Sequence, residues 1–332
     1  MLIENERHRT LLNRLGQYSW LLWIAVTIVA GWILWDRLHE IDTEAIAHSV
    51  LGTSPIALFI ALACCAGVNL VASVYEGVAV HHVTGRRRWL HPALVASVAN
   101  PIGHMVGNAI LGASALRYRL HSAAGLNALQ IGGVIILTIM PFLLAVGWIV
   151  DLALVLFANE IGKAVHVPVP TLMALGILGL AKDVGWLWFV TARNGRPLRI
   201  AGRTVRLPDL KHTLLQIVLG VGEILLVSSI LYVFLPPIGI SLLTFVAIFL
   251  IAVIVGQLSH VPAGLGVMEA ALLLMMPQVP PEALLGAVLL YRAVFDFLPL
   301  LVALLLLLAH ETLLRPGMAA RLVPVRNDER SE

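Results

Sequence analysis

Seven charged side chains stand inside stretches that are otherwise apolar: Glu76, Lys182, Asp183, Glu223, Glu269, Arg292 and Asp296. A charge at the centre of a membrane-spanning helix costs about 2.5–3.5 kcal/mol even on the lenient insertion scale, so each must face a protein interior, pair, or exchange a proton. Arg292 and Asp296 are four apart, the neighbour spacing for an ion pair on one helix face; they either neutralise one another or serve a ligand together. Lys182 and Asp183 are adjacent halfway along their segment and point in different directions, which calls for partners on other helices. Glu269 follows a break in the chain, where the open amides and dipole of a starting helix favour a carboxylate, as a cap or as a binding group. Glu223 falls mid-segment, whereas Glu76 lies nearer a helix end and within reach of water. A mainly acidic set in a low-dielectric pocket suits a cationic group or protons. Arg117 and Arg119, close behind a second break, carry forked donors that suit a phosphodiester, and equally could anchor the chain at the membrane face. Asn100, His104, Asn108 and His260 flank the breaks as further polar groups. An amphiphile carrying a phosphate and an ammonium would satisfy both sets.

The segments that must position these groups are set by composition. Of 332 residues 59% are apolar and 12% charged, with a mean hydropathy of +0.92. A soluble domain carries about 25% charged residues and its single core stops growing near ~250–300 residues. A cytosolic globular enzyme, a disulfide scaffold and a disordered chain are thereby excluded. The net charge of +3 reads as membrane orientation, not as nucleic-acid binding. Cys64 and Cys65 are adjacent, cannot bridge to each other, and have no metal-ligand spacing; they read as packing residues.

A spanning helix needs ~20 mostly apolar residues. Six segments qualify: Tyr18–Trp35, Pro55–Val80, Leu126–Val150, Pro170–Ala192, His212–Leu235 and Glu282–His310. Two more are apolar but interrupted, His91–Ala113 at Asn100-Pro101-Ile102-Gly103 and Ser241–Pro277 at Ser259–Gly266. Basic loops around Arg86-Arg87-Arg88, Arg117–Gly125, Arg193–Lys211 and the tail are placed inside, and the acidic Asp36–Ser54 outside. These placements agree only if both interrupted segments return to the side they enter from. The expected fold is an all-α polytopic membrane protein with six spanning helices and two re-entrant hairpins, arranged as an inverted-topology repeat around a cavity. Residues 1–17 form a cytoplasmic N-terminus, 18–157 the first repeat with hairpin 91–113, 158–310 the second repeat with a cytoplasmic loop 193–211 and hairpin 241–277, and 311–332 a cytoplasmic tail. No metalloprotease, nucleophile-elbow or phosphate-loop pattern occurs, so neither an enzyme nor a cofactor or metal is expected.

Asn100-Pro101-Ile102-Gly103, followed by Gly112-Ala113-Ser114-Ala115-Leu116-Arg117-Tyr118-Arg119 and Ala124-Gly125-Leu126, resembles the first signature of the multiple peptide resistance factor family. Ser259–Glu269, with Pro262-Ala263-Gly264-Leu265-Gly266, resembles its second, and Leu290-Tyr291-Arg292 with Pro299 looks like the helix that follows. Ala263 stands where that family usually has Gly, and Met268 where an aromatic is usual. The resemblance covers about Tyr18 to His310. It implies the transmembrane flippase region of the lysylphosphatidylglycerol synthase/flippases, as a stand-alone homologue, which moves aminoacylated phosphatidylglycerol between leaflets. The synthase domain of that family is absent from this chain, so lipid synthesis is not expected.

The leading expectation is therefore a lipid flippase or lipid transporter of the bacterial inner membrane, with both termini cytoplasmic and a membrane phospholipid as substrate. Arg117 and Arg292 would engage phosphate, while Glu269, Asp296 and Glu223 would receive a cation or protons. Two alternatives use the same sequence features: a proton- or ion-coupled carrier of a small solute, and a non-transporting partner that docks a lipid-modifying enzyme through Arg193–Lys211. Such an enzyme and a second copy of the chain are the candidate protein partners.

Overall fold

The computed structural model describes residues 43–313, apart from 86, 88, 107–108, 166, 194–197, 201–202, 206–208, 238 and 240. The expected span Tyr18–Trp35, the segment before it and the tail beyond residue 313 lie outside the described residues. A short helix, α1 (Thr43–Leu51), leads into α2 (Pro55–Thr84). Ser54 starts α2 by accepting the Ala57 N–H, Pro55 supplies the preset φ of a first helical residue, and Gly85 at φ +70 ends it. Next come α3 (Leu90–Met105) and α4 (Ala109–Ala123), then α5 (Ala128–Leu156), which begins at a reciprocal Asn127/Gln130 capping box. The chain continues through α6 (Ala158–Val165) and α7 (Val169–Arg193) to a small antiparallel ribbon, β1 (Leu198–Ile200) with β2 (Arg203–Val205). After it come α8 (Leu210–Tyr232) and α9 (Leu242–Leu258), a 3₁₀ turn at Pro262–Gly264, and α10 (Val267–Met275). Helix α11 (Pro281–Arg292) then passes through a π-helical stretch, Ala293–Phe297, into α12 (Leu298–Leu313).

Five of these helices are long and apolar enough to cross a membrane: α2, α5, α7, α8 and the composite Pro281–His310. They match five of the six expected spans. Only 17–28% of each apolar stretch is buried within the protein, so most of its apolar surface faces outward, as lipid permits and water does not. Side chains such as Phe59, Leu178, Trp188 and Leu305 stand exposed on that surface. The ribbon inside the Arg193–Lys211 loop departs from the all-helical expectation; it is too short to alter the helical architecture.

Helices α3 and α4 form an antiparallel helical hairpin, with His91 opposite His121 and Gly103 opposite Gly112. The expected break at Asn100–Gly103 is not where the chain turns. Helix α3 runs through Pro101 to Met105 and ends at Val106, whose N–H meets the Gly103 carbonyl. Pro101 forfeits one helical hydrogen bond near the helix end, a loss that membrane helices tolerate where protein surrounds them. The second break falls where the sequence places it, between Leu258 and Val267, with His260, Ala263, Gly264 and Gly266 all at positive φ. Both hairpins close on glycine. A methyl group at Gly112 would sit 3.1 Å from Gly103 Cα, and one at Gly264 3.0 Å from Gly256 Cα. Close backbone approach substitutes for the water-driven association that helices lack in lipid.

Helix α2 packs on α3, α5 and α8, α5 on α7 and α8, α12 on α3, and α1 on α11. The largest buried cluster joins Phe245 and Phe249 of α9 to Leu231 of α8, Leu272 of α10 and Leu284 of α11. Helix α3 also touches the 3₁₀ turn and the π-helical stretch. The end of the first hairpin thus meets the break of the second.

Candidate functional site

Two buried arginines, one in each half of the chain, organise the polar interior. Arg117, on α4, is held by Glu76 of α2: its Nε donates to Glu76 Oε2 at 2.8 Å, and its Nη2 donates to Asn100 Oδ1 on α3 at 2.7 Å. Glu76 is fully buried, not in reach of water as its position near a helix end suggested. Its other oxygen, Oε1, lies 2.8 Å from Nε2 of His121, itself fully buried one helical turn after Arg117. His121 Nδ1 is in turn 3.3 Å from Nε2 of His91 on α3. One carboxylate thereby ties α2 to α4, and Arg117 and His121 carry the link on to α3.

The second arginine, Arg292, closes α11. Its Nε donates to Glu269 Oε1 at 2.6 Å, and its Nη2 meets the same oxygen at 2.5 Å as an ion-pair contact. Its Nη1 donates to Asp296 Oδ2 at 3.1 Å and to the Ala263 carbonyl at 3.2 Å. Glu269 is also the third residue of α10, and its Oε2 accepts the Gly266 N–H at 2.9 Å. The carboxylate therefore caps its helix and holds the arginine at once. The π-helical stretch sets Asp296 beside Arg292 and leaves the Val294 carbonyl to accept from Cys65 Sγ at 3.3 Å. Insertions of this kind are common at functional sites because they re-aim a side chain without ending the helix. With all three side chains ionised, the cluster holds one more negative than positive charge.

The remaining expected residues divide. His104, half-buried near the end of α3, sets its ring edge-on to Phe295 at 5.9 Å and lies in the field of Asp296. This places it with the second cluster although it belongs to the first hairpin. Glu223 of α8 accepts from the Tyr75 hydroxyl at 2.9 Å and feels the Arg117 charge at longer range. Arg119 is exposed, and His260 is exposed at the turn with Nδ1 2.9 Å from the Leu258 carbonyl oxygen. Asn108 lies outside the described residues.

Lys182 and Asp183 do not need separate partners. Lys182 Nζ lies 2.9 Å from Asp183 Oδ1 and 3.4 Å from Asp151 Oδ2 on α5. Successive helical residues diverge by about 100°, but the flexible lysine stem curls back across that angle. Gly179 makes room for the group, since a methyl there would overlap the Asp151 carboxylate. This trio joins α5 to α7 and stands apart from both arginine clusters.

Sequence reasoning missed His91, His121, Tyr75 and Asp151. His121 follows Arg117 by four residues, a same-face spacing that was available to be read. Asp151 was excluded by ending its helix at Val150, six residues short of the observed end.

No protein-family profile matches the chain. It is 29% identical over 281 residues to an uncharacterized protein of Synechocystis, an alignment covering 84% of this chain and 87% of that one. It is 25% identical over 301 residues to inner membrane protein YbhN of Escherichia coli, covering 89% and 91%. A shorter alignment, 32% identical over 137 residues, joins it to a phosphatidylglycerol lysyltransferase of Staphylococcus haemolyticus, covering 39% of this chain and 16% of that enzyme. Its homologues are thus YbhN-like membrane proteins, with a partial likeness to the lysyltransferases.

Proposed function

We propose that this protein moves a phospholipid, of the phosphatidylglycerol or aminoacyl-phosphatidylglycerol type, between the leaflets of a bacterial inner membrane. The observation that carries the reading is the meeting of the first hairpin with the break of the second. Helix α3, whose Asn100 holds Arg117, touches both the 3₁₀ turn and the π-helical stretch beside Arg292, so elements that carry the two buried arginine–glutamate pairs adjoin. Irregular backbone at membrane depth is tolerated only where protein or a polar cavity surrounds it, and transporter sites are built at such interruptions. The partial likeness to the phosphatidylglycerol lysyltransferases supports a lipid as cargo.

In this reading the chain has six spans and two re-entrant hairpins as an inverted repeat, with both termini cytoplasmic. Repeat boundaries fall at 18–157 and 158–310. Arg292 and, once released by its partners, Arg117 receive the headgroup phosphate; Glu269, Asp296 and Glu223 receive an ammonium group or protons. The acyl chains stay in the bilayer. The protein acts without chemistry on the lipid, downstream of an enzyme that makes it.

The test is leaflet exchange of fluorescent phosphatidylglycerol in phosphatidylcholine vesicles containing the purified chain. Exchange that depends on the protein, and that Glu269→Gln and Arg292→Ala abolish, is expected. Rates equal to those of protein-free vesicles would refute the proposal.

A further inference from the structure

The buried polar chain of the first half continues past the arginine toward one end of the hairpin. Glu76 Oε1, His121 Nε2, His121 Nδ1 and His91 Nε2 stand in single file at 2.8 and 3.3 Å. A carboxylate only accepts, so the His121 nitrogen facing Glu76 carries the proton, and in the neutral ring Nδ1 is left to accept from His91 Nε2–H. His91 is half-buried and lines a recess of about 160 Å³, together with Thr84, Gln130 and the Ala124–Leu126 turn. That recess is roomy and polar enough for water. One end of the file is therefore at a polar recess with room for water and the other at a carboxylate with no exposed surface.

We infer that His91 and His121 form a proton inlet to Glu76, and that protonation of Glu76 frees Arg117 to take an anionic phosphodiester in its place. A proton captured at His91 Nδ1 lets the Nε2 proton pass to His121 Nδ1, and the His121 Nε2 proton pass to Glu76 Oε1. Each ring gains one proton and loses one, and the carboxylate becomes a carboxylic acid. The Glu76–Arg117 pair, neutral before, then carries one positive charge, with Arg117 still oriented by Asn100. An uncompensated buried cation is costly, so the state favours an anion at Arg117. One proton enters per anionic headgroup, and the step adds no net charge to the interior.

Charged or titratable groups come from every element around this file. Helix α2 brings Tyr75, Glu76, His81 and His82, α3 brings His91 and His104, α4 brings Arg117, Arg119 and His121, α8, packed on α2, brings His212 against His82 and Glu223 within the field of Arg117, and the end of α12 that packs on α3 brings His310. The nearby end of α5 brings the uncharged Gln130. Among the described residues, Glu76 is the carboxylate in contact with the relay and Arg117 its ion-pair partner. Histidine is suited to the entry because its charge changes nearest neutral pH.

The coupling rests on the lipid-transport reading, whereas the inlet does not, and two measurements separate them. Infrared difference spectra of the purified full chain between acid and alkaline pH should show a carboxylic acid band that Glu76→Gln removes and His121→Gln shifts in midpoint. Identical spectra in wild type and Glu76→Gln would overturn the inlet. Should that variant fail to fold, His91→Gln at the recess should still slow the band's appearance after a rapid drop in pH, and an unslowed appearance overturns the inlet equally. In vesicles, exchange of fluorescent phosphatidylglycerol should accelerate with acidification on the His91 side, by up to about tenfold per pH unit, the limit for one coupled proton. Glu76→Gln should lose that dependence. Protein-dependent exchange that ignores pH would overturn the coupling and leave transport standing. No exchange at any pH would overturn the transport reading, and the infrared result alone would then decide the inlet.

Discussion

Removing Glu269 should be among the most damaging single changes in the membrane interior. Its side chain meets two nitrogens of Arg292, at 2.6 and 2.5 Å, and accepts the Gly266 N–H at 2.9 Å. With charge centres about 4 Å apart and an effective dielectric constant near 20, the lost attraction is about 4 kcal/mol. The lost helix cap adds about 1 kcal/mol. Against this, Asp296 and the Ala263 carbonyl still hold Nη1 of the arginine, so Glu269→Ala should cost about 3–5 kcal/mol, the range for a broken buried pair. Glu269→Gln keeps an acceptor for Gly266 and the side-chain shape, and should cost about half as much. Asp296→Asn, which disturbs one contact of 3.1 Å, should cost less than Glu269→Ala. Reversible denaturant unfolding of the detergent-purified variants, followed by tryptophan fluorescence, gives the order directly. A Glu269→Ala protein within about 0.5 kcal/mol of wild type, or an Asp296→Asn protein less stable than Glu269→Ala, would refute the assignment of Glu269 as the principal partner of Arg292.

Two further outcomes follow from the backbone and caps. Ala263 sits at φ +52 inside the second break, a left-handed conformation that costs a side-chain-bearing residue about 1–2 kcal/mol, so Ala263→Gly should raise stability by up to about 1 kcal/mol after the glycine's extra unfolded-state entropy; a lower unfolding midpoint would contradict this. Asp209 starts α8, accepting the His212 N–H at 2.9 Å with the His212 ring 2.7 Å away, and these hydrogen bonds hold its carboxyl below the usual aspartate range. The cap's contribution is therefore complete above that range and lost as pH falls through the lowered value, and a stability–pH profile of Asp209→Ala should differ from wild type by about 1 kcal/mol at neutral pH and converge with it in acid.

Much of the architecture was legible because lipid imposes simple rules. Apolar length alone located α2, α5, α7, α8 and the Pro281–His310 helix, and a run of Pro and Gly located the second break. The first break was misplaced because Pro101 looks like a stop, whereas a helix one turn from its end can absorb a missing N–H. The Arg292–Asp296 contact could be read from spacing on one helix. The stronger contacts could not. Glu269 lies 23 residues from Arg292, and Glu76 lies 41 from Arg117, and only tertiary packing joins them. The same limit hid the His91–His121 file. Lys182 misled for a different reason: helix geometry separates it from Asp183, and side-chain flexibility reunites them.

The central claim is that the two hairpins enter the bilayer from opposite faces and meet inside it. Single cysteines at Ser122, exposed at the base of the first hairpin, and at Gln278, exposed after the second, test it in a Cys64→Ala/Cys65→Ala background. A thiol reagent that cannot cross the membrane should label Ser122→Cys only from the cytoplasmic side and Gln278→Cys only from the outer side. Labelling of both from one side would contradict the arrangement, and with it the shared interior on which lipid transport depends.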